Sequence, residues 1–244
     1  MQALSWSLDH GGPLARSCAD AALLLEGMTG RSFASAPRAM KGLRIGVMQH
    51  GGAAKYMQPG VQASFDAVLA RLAKAGANIR SVSVPDMDLA PEALMAILEP
   101  EASVIHQRLI AAEPEGFGEI TRLQIEAGFA IPATAYVRAQ QLQRELAMRF
   151  RRLFDDVDAL VSPSVPWVAP AEDPALNDES GAGEMLYSGL YNLLGLPALA
   201  LPSGLTPEGL PAGLQISTPW GSESLAFSIG AAIEAGMKAL RPPI

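Results

Sequence analysis

The stretch of this sequence that most constrains its fold is residues 193–217, LLGLPALALPSGLTPEGLPAGLQIS. Pro197 and Pro202 bracket a short apolar run, at strand ends where a missing N–H is tolerated. The TPEG sequence that follows is typical of a type I turn, and a second apolar run at residues 213–217 then returns as a strand. Because the first run, residues 198–201, shows no polar–apolar alternation, we predict that it is buried on both faces, deep in a sheet.

Strands and helices alternate along the rest of the chain. Apolar runs predict three further strands, at residues 43–47, 79–84 and 158–161. Helical spacing of apolar residues predicts seven helices, at residues 17–28, 59–75, 89–112, 116–128, 134–154, 183–194 and 223–235. Pro100 should break or kink the third of these helices. Two strands joined by a helix favour parallel pairing with a right-handed crossover, so the fold class is α/β, with helices on the faces of the sheet.

Composition narrows the class of protein further. The 244 residues suffice for one sizeable core, and we predict a single domain over residues 1–244. The net charge of −7 argues against binding to nucleic acid or to an anionic membrane, both of which require a positive field. The sequence shows neither a membrane-spanning run nor a signal peptide, and its single cysteine, Cys18, fits a reducing compartment. We therefore expect a soluble, cytoplasmic protein.

The motifs that usually mark a catalytic site are absent from the sequence. It has no His-Glu-x-x-His, no paired cysteines and no acidic calcium loop, so we predict no metal and no other cofactor. No Gly-x-Ser-x-Gly nucleophile elbow occurs. The GVMQHGG segment at residues 46–52 follows a strand but lacks the Lys and Ser/Thr of a phosphate-binding loop, which favours an ordinary connection.

A few polar residues remain as candidates. Cys18 lies near a helix start, which can lower a thiol pKa, but no histidine is close in sequence, so a small packed residue is favoured. Ser7, Asp9 and His10 are triad residue types, but sequence neighbours seldom converge as a triad, and capping of a turn is favoured. Asn192 is the polar residue predicted to face a pocket and bind substrate; the alternative is that it caps the end of its helix.

Three parts of the chain carry a resemblance to a known family. They are LSWSLDHGGPLARSCADAALLLEGMTG (residues 4–30), GLRIGV with DALVSPSVP (residues 42–47 and 158–166), and YNLLGLPALALPSGLTPEGLPAGLQI (residues 191–216). Each resembles the matching stretch of amidase-signature enzymes, which hydrolyse carboxamides, and they occur in the same order. The C-terminal RPPI is also similar to how many members end. The resemblance implies a mixed β-sheet flanked by helices on both faces.

The resemblance also implies that this chain corresponds to the C-terminal half of such an enzyme. Members are similar in using a nucleophilic serine, a second serine on a cis peptide bond and a lysine, all upstream of the Ser-Leu-Asp-His motif. Here that motif begins at Ser7. We therefore assign no catalytic residue to this chain and expect it to be inactive alone. The four lysines match no family position: Lys41, Lys55, Lys74 and Lys238.

Two positions bear on which relatives the chain resembles most. Glutamine-hydrolysing A subunits of tRNA-dependent amidotransferases resemble one another in an acidic residue before the Asn-Leu-x-Gly-x-Pro run, where this chain has Met185 and Leu186. They are also similar in a basic pair shortly before Gly128, where this chain has Leu123 and Gln124. Both departures favour a general amidase acting on a small amide substrate.

The alternatives are a non-catalytic module that uses the same scaffold to bind a ligand or partner and, ranked lowest, an amidotransferase A-subunit-like piece. In all three cases half of a shared sheet would expose an edge and apolar helix faces. We therefore predict that the isolated chain either self-associates through an exposed sheet edge or is only marginally stable.

Overall fold

The structure is a computed structural model, and it describes residues 2–49, 51–172 and 179–237. It gives the bounds of seven helices in these residues: α1 Cys18–Thr29, α2 Pro59–Lys74, α3 Ala90–Ala112, α4 Glu119–Ala127, α5 Ala133–Asp156, α6 Glu179–Leu194 and α7 Glu223–Ala235. Five strands accompany them: β1 Arg44–Met48, β2 Asn78–Val82, β3 Ala159–Pro163, β4 Ala198–Leu205 and β5 Pro211–Ser217. The predicted elements therefore form, with small shifts of their ends.

The strands make one mixed sheet in the order β2-β1-β3-β5-β4. β1 pairs in parallel with β2, as the crossover argument predicts, and also in parallel with β3, whereas β5 pairs antiparallel with β3 and β4. The turn between β4 and β5 closes when Gly209 N–H donates to Thr206 C=O (2.9 Å), and Gly209 takes the left-handed φ of 81°. The α/β fold with a mixed sheet is confirmed.

Helices cover both faces of this sheet. One core cluster packs α1, α2 and α7 against the sheet around Ile45, Val161 and Ile216. The other packs α3, α5 and α6 against the opposite face around Leu160, with Leu146 and Phe150 of α5 fully buried. Burying a side chain of this size contributes about 1.5–3 kcal/mol, so the two clusters together hold the layers in place.

Two predictions about individual elements are wrong. β4 is not buried on both faces: it lies at an edge of the described sheet, and its exposure alternates, with Ala198, Ala200 and Pro202 exposed. A short apolar run indicates that a strand lacks charged residues. It does not indicate whether the strand lies inside the sheet or at its edge, so the prediction of burial on both faces had no support. The second error concerns the predicted break at Pro100, since α3 continues through this residue, whereas a kink there stays a prediction.

The two ends of the described chain meet at α1. Ser17 caps this helix by accepting a hydrogen bond from Asp20 N–H (3.1 Å), and Gly30 ends it in the left-handed conformation, as the sequence predicts. The Glu234 carboxylate of α7 also accepts from Cys18 N–H, at 3.0 and 3.1 Å. A negative charge at a helix N-terminus is favourable, so α7 fastens α1 to the sheet.

Candidate functional site

A cleft of about 950 Å³ follows the free edge of β4. It is lined by the segment before α1, by α1 and α7 on one face of the sheet, and by the C-terminal turns of α6 on the other. The tight turn at Gly195, whose φ is 64°, joins α6 to β4 and so places α6 side chains beside the strand edge. The cleft combines apolar walls with a few polar groups, which makes it the default location for a ligand.

Charge is distributed unevenly around the cleft. Arg16, Arg31, Glu223 and Glu234 line it from the side of α1 and α7. In the described residues of α6 and β4, by contrast, every lining side chain is uncharged. The α6 side therefore offers hydrogen bonds and apolar contact to a bound molecule, with no fixed charge.

Asn192 lies in the last turn of α6, at the polar end of this cleft. Its Nδ2 donates to Leu8 C=O (3.1 Å) and lies 3.3 Å from His10 Nδ1. Its backbone C=O accepts from Gly195 N–H (3.2 Å). The residue therefore lies at the cleft, and its side chain joins the Ser-Leu-Asp-His segment to α6. Substrate binding by Asn192 stays a prediction.

His10 contacts the same carbonyl group as Asn192. Its Nδ1 lies 2.8 Å from Leu8 C=O, which can only accept a hydrogen bond. Nδ1 must then carry the proton, because two acceptors would repel each other at this distance. We assign a proton to His10 Nδ1, and whenever the imidazole is neutral this places its lone pair on Nε2.

Ser7, Asp9 and His10 do not form a triad. The Asp9 carboxylate accepts from the backbone N–H of Leu4 (2.9 Å) and of Ser5 (3.1 Å), which is the turn capping favoured by the sequence. Ser7 Oγ donates to Glu101 Oε1 (2.7 Å) and so turns toward α3. His10 therefore does not activate Ser7 as a nucleophile.

Cys18 is packed and unreactive. The side chain is buried between α1 and α7, and burial together with the nearby Glu234 carboxylate raises the pKa of its thiol to about 12. The thiol stays protonated at neutral pH, whereas a nucleophilic cysteine needs its pKa lowered. The favoured interpretation of a small packed residue fits this environment.

The floor of the cleft contains two buried polar residues that the sequence analysis did not single out. Gln215 Nε2 lies within hydrogen-bonding distance of Tyr187 C=O (2.7 Å), Ser162 Oγ (3.0 Å) and Pro163 C=O (3.2 Å), so it joins β5 to β3 and α6. Burial raises the pKa of Tyr191 to about 12, so this phenol stays neutral. A glutamine within an apolar strand was the available signal for such a network.

The remaining candidates lie away from the cleft. Lys41, Lys55 and Lys74 do not line it, and Lys238 and the RPPI end lie outside the described residues. In the GVMQHGG segment, Gly46 is needed for packing, because a Cβ there would lie 2.9 Å from Leu160 Cδ2. Leu123 and Gln124 lie on α4, and Met185 and Leu186 on α6.

The described residues contain neither a cluster of metal-ligating side chains nor a membrane-spanning helix. No group of three or more His, Cys, Asp or Glu side chains lies close enough together to hold a metal ion. None of the helices is both long and apolar enough to cross a membrane.

Comparison with known proteins gives matches over almost the whole chain. The family model described as Amidase matches residues 1–226. The chain is 30% identical to the A subunit of the glutamyl-tRNA(Gln) amidotransferase of Maricaulis maris, over 95% of this chain and 55% of that protein. It is 28% identical to an amidase of Pseudomonas putida, over 92% of this chain and 53% of that protein. The chain thus spans about half the length of the curated relatives it matches.

Solved structures match over a similar share. A crystal structure of an amidase superposes with a TM-score of 0.82 at 29% identity, over 97% of this chain and 55% of that one. The A subunit of the glutamyl-tRNA(Gln) amidotransferase of Thermotoga maritima superposes with a TM-score of 0.74 over 95% of this chain and 54% of that one. At 22% identity, the latter match shows a common fold alone.

Proposed function

Because this chain belongs to the amidase family, we propose that it supplies one wall of the substrate cleft in a hydrolase that cleaves the C–N bond of a small carboxamide. The observation that carries the proposal is the cleft at the free edge of β4, which combines the polar groups of His10 and Asn192 with an uncharged α6 side. In this proposal the nucleophile and its base come from a segment outside residues 1–244.

In the reaction that the family resemblance implies, this chain and the segment that carries the nucleophile have different roles. A serine oxygen attacks the carboxamide carbon, the serine proton passes through a second serine and a lysine to the leaving nitrogen, and the C–N bond breaks. Water then hydrolyses the acyl-enzyme ester, releasing the carboxylic acid and restoring the serine. This chain would bind and orient the amide, with Asn192 as the proposed contact, and none of its residues is assigned a covalent step.

The edge of β4 is the proposed attachment site for the completing segment. Gly213 C=O accepts from Ser164 N–H on the β3 side (3.0 Å). Because successive residues of a strand direct their backbone groups to opposite sides, Leu214 and Ile216 face β4. Their partners Leu201 and Leu199 therefore face β5, which leaves the backbone groups of the intervening residues of β4 directed outward. Without the completing segment, we propose that two copies of the chain pair through this edge.

Co-expression with the segment encoded immediately upstream of the Met1 codon tests the proposal. The purified chain alone should release no ammonia from a panel of simple carboxamides, and the complex with that segment should do so. Asn192→Ala should then raise KM about 10-fold, the usual scale for one lost hydrogen bond to a substrate. An upstream frame that is closed, or a folded complex that hydrolyses no amide, would contradict the proposal and favour a non-catalytic ligand- or partner-binding module.

A second candidate is an A-subunit-like role in a tRNA-dependent amidotransferase. It is favoured by the names of several relatives, which are 30–32% identical to this chain. It is opposed by Met185 and Leu186, which stand where those proteins are expected to carry an acidic residue. Activity with glutamine and co-purification with further subunits would establish it in place of the general amidase.

A further inference from the structure

One carboxylate holds the segment that precedes α1. Glu101 of α3 receives four hydrogen-bond donors: Ser5 Oγ at 2.5 Å and Ser7 N–H at 3.1 Å on Oε2, and Ser7 Oγ at 2.7 Å and Tyr136 Oη–H at 3.0 Å on Oε1. Burial pushes the pKa of Glu101 upward, but the hydrogen bonds from Ser5, Ser7 and Tyr136 outweigh it and hold the pKa below its usual value. The group therefore remains an acceptor-only carboxylate at neutral pH.

The contacts continue from this carboxylate to the cleft. Ser5 Oγ, which donates to Glu101, accepts from Leu8 N–H (3.2 Å). Leu8 C=O is the group that His10 Nδ1 and Asn192 Nδ2 both contact. Glu101 thus connects, through Ser5 and Leu8, to the two side chains at the polar end of the cleft.

We propose that Glu101 is a positioning residue: it fixes the turn of residues 5–10 so that His10 keeps its Nδ1 proton on Leu8 C=O and presents Nε2 at the cleft. A glutamine at this position has one acceptor oxygen and no charge. Its NH₂ group cannot accept from Ser7 N–H, and the hydroxyl groups of the other contacts would have to reverse their hydrogen bonds to accept from it. The three contacts that hold the turn, from Ser5 Oγ, Ser7 N–H and Ser7 Oγ, would then no longer be made to a charged group, and each one that meets the NH₂ group must reverse or break. The relevance of this arrangement to catalysis rests on the proposed function, whereas the arrangement itself can be tested on the chain alone.

The test compares Glu101→Gln with wild type in the full chain by NMR. The chain has only three histidines, so long-range ¹H–¹⁵N spectra can resolve the tautomer of each, with His10→Gln used for assignment. Wild type should show the Nδ1–H tautomer for His10, and Glu101→Gln should show a mixture of tautomers. Amide exchange at Ser7 and Leu8 should be at least about 10-fold faster in the variant, as expected when an anchored turn opens locally.

Glu126→Gln is the matched control. It makes the same substitution on α4, where the carboxylate pairs with Arg122 at 3.0 Å, and it should leave both signals unchanged. An unchanged His10 tautomer and unchanged exchange in Glu101→Gln would overturn the proposal. If Glu101→Gln does not fold, Tyr136→Phe removes one donor to the same carboxylate and should still raise exchange at Ser7 about threefold; no change there would equally overturn it.

Activity of the complex described above separates the two proposals. Glu101→Gln should lower kcat/KM at least about 10-fold at unchanged thermal stability of the rest of the chain, and Glu126→Gln should not. If wild type itself is inactive, the proposed function fails while the NMR result still decides whether Glu101 positions His10. If the His10 tautomer changes but kcat/KM does not, Glu101 positions His10 as proposed, and the relevance of this position to catalysis is overturned.

Discussion

The two edges of the described sheet are built differently. β2 is a short strand of five residues, three of them exposed, and it carries Arg80, which pairs with Asp156 at 3.3 Å. β4 has eight residues, and the sequence contains no charged residue between Glu184 and Glu208. Natural proteins protect edge strands from further pairing by keeping them short and charged. β2 fits that description, and β4 does not.

This contrast indicates where the sheet can be extended. Two features of β4 limit pairing: Pro202, whose missing N–H lies on the outward side, and the irregular register between Pro202 and Gly204. The cleft and the polar groups of His10 and Asn192 lie at the same edge. The β4 edge therefore combines a long, uncharged row of outward backbone groups with the proposed binding site, while the β2 edge is shorter, carries Arg80 and lies away from the cleft.

The largest expected effect comes from placing a charge on the open edge. Ala200 is exposed on β4, and Ala200→Lys should reduce self-association of the isolated chain about 100-fold, because an edge lysine opposes strand pairing. Sedimentation velocity over a range of concentrations measures this. Ser81→Lys places the same charge on β2 and should change nothing. Equal effects of the two variants, or a wild-type chain that stays monomeric at every concentration, would contradict pairing through the β4 edge.

The second prediction concerns the packing beneath each edge. A Cβ at Gly46 would lie 2.9 Å from Leu160 and 3.0 Å from Val82 of β2, and one at Gly230 would lie 2.7 Å from Leu199 of β4. Gly46→Ala should lower the free energy of unfolding by about 2 kcal/mol through overpacking. Gly230→Ala should cost about 1 kcal/mol, because alanine regains part of the loss as a better helix former.

Urea unfolding in the Ala200→Lys background, where association is suppressed, measures both variants. Gly27→Ala is the control: nothing lies within 4 Å of a Cβ at this position in α1, so it should be neutral or slightly stabilising. A neutral Gly230→Ala would mean that the core beneath β4 is looser than the core beneath β2.

The smallest effect is expected from the charged contact on the β2 side. The Asp158 carboxylate accepts from the Arg44 guanidinium (2.7 Å) and from Arg44 N–H (2.8 Å), which lowers the pKa of Asp158 even though burial opposes it. A lowered folded-state pKa gives stability that is present above the ordinary value of 3.8 and is lost as pH falls through the folded pKa. Asp158→Asn should therefore cost about 1 kcal/mol at pH 7, after allowance for solvent screening.

Urea unfolding at pH 7 and at about pH 3 distinguishes this effect from a general one, because the difference between Asp158→Asn and wild type should shrink at the lower pH. The control is Asp156→Asn, which removes the exposed partner of Arg80 and should cost less than about 0.5 kcal/mol at either pH. A cost for Asp158→Asn that does not depend on pH would refute the assignment to its charge.

Local signals in the sequence predicted the elements well, whereas contacts between distant residues were not predictable. Ser17 and Gly30 mark the ends of α1 because capping depends on residues a few positions apart. The position of β4 could not be predicted, because residues 198–201 look the same whether or not another strand lies beside them. The role of Glu101 could not be predicted either, because its partner Ser5 is 96 positions away in sequence and no spacing rule relates the two residues.

The hydrogen bonds from Cys18 N–H to the Glu234 carboxylate also bear on the order in which the chain folds during synthesis. They join residues 216 positions apart, so α1 emerges from the ribosome long before the helix that it packs against. Closing so long a loop is slow, and contacts of this separation form late. The side chains of α1 that become buried, Cys18, Ala21 and Ala22, are therefore expected to stay uncovered until α7 has been made. A chaperone that binds nascent apolar segments could reach α1 for most of translation.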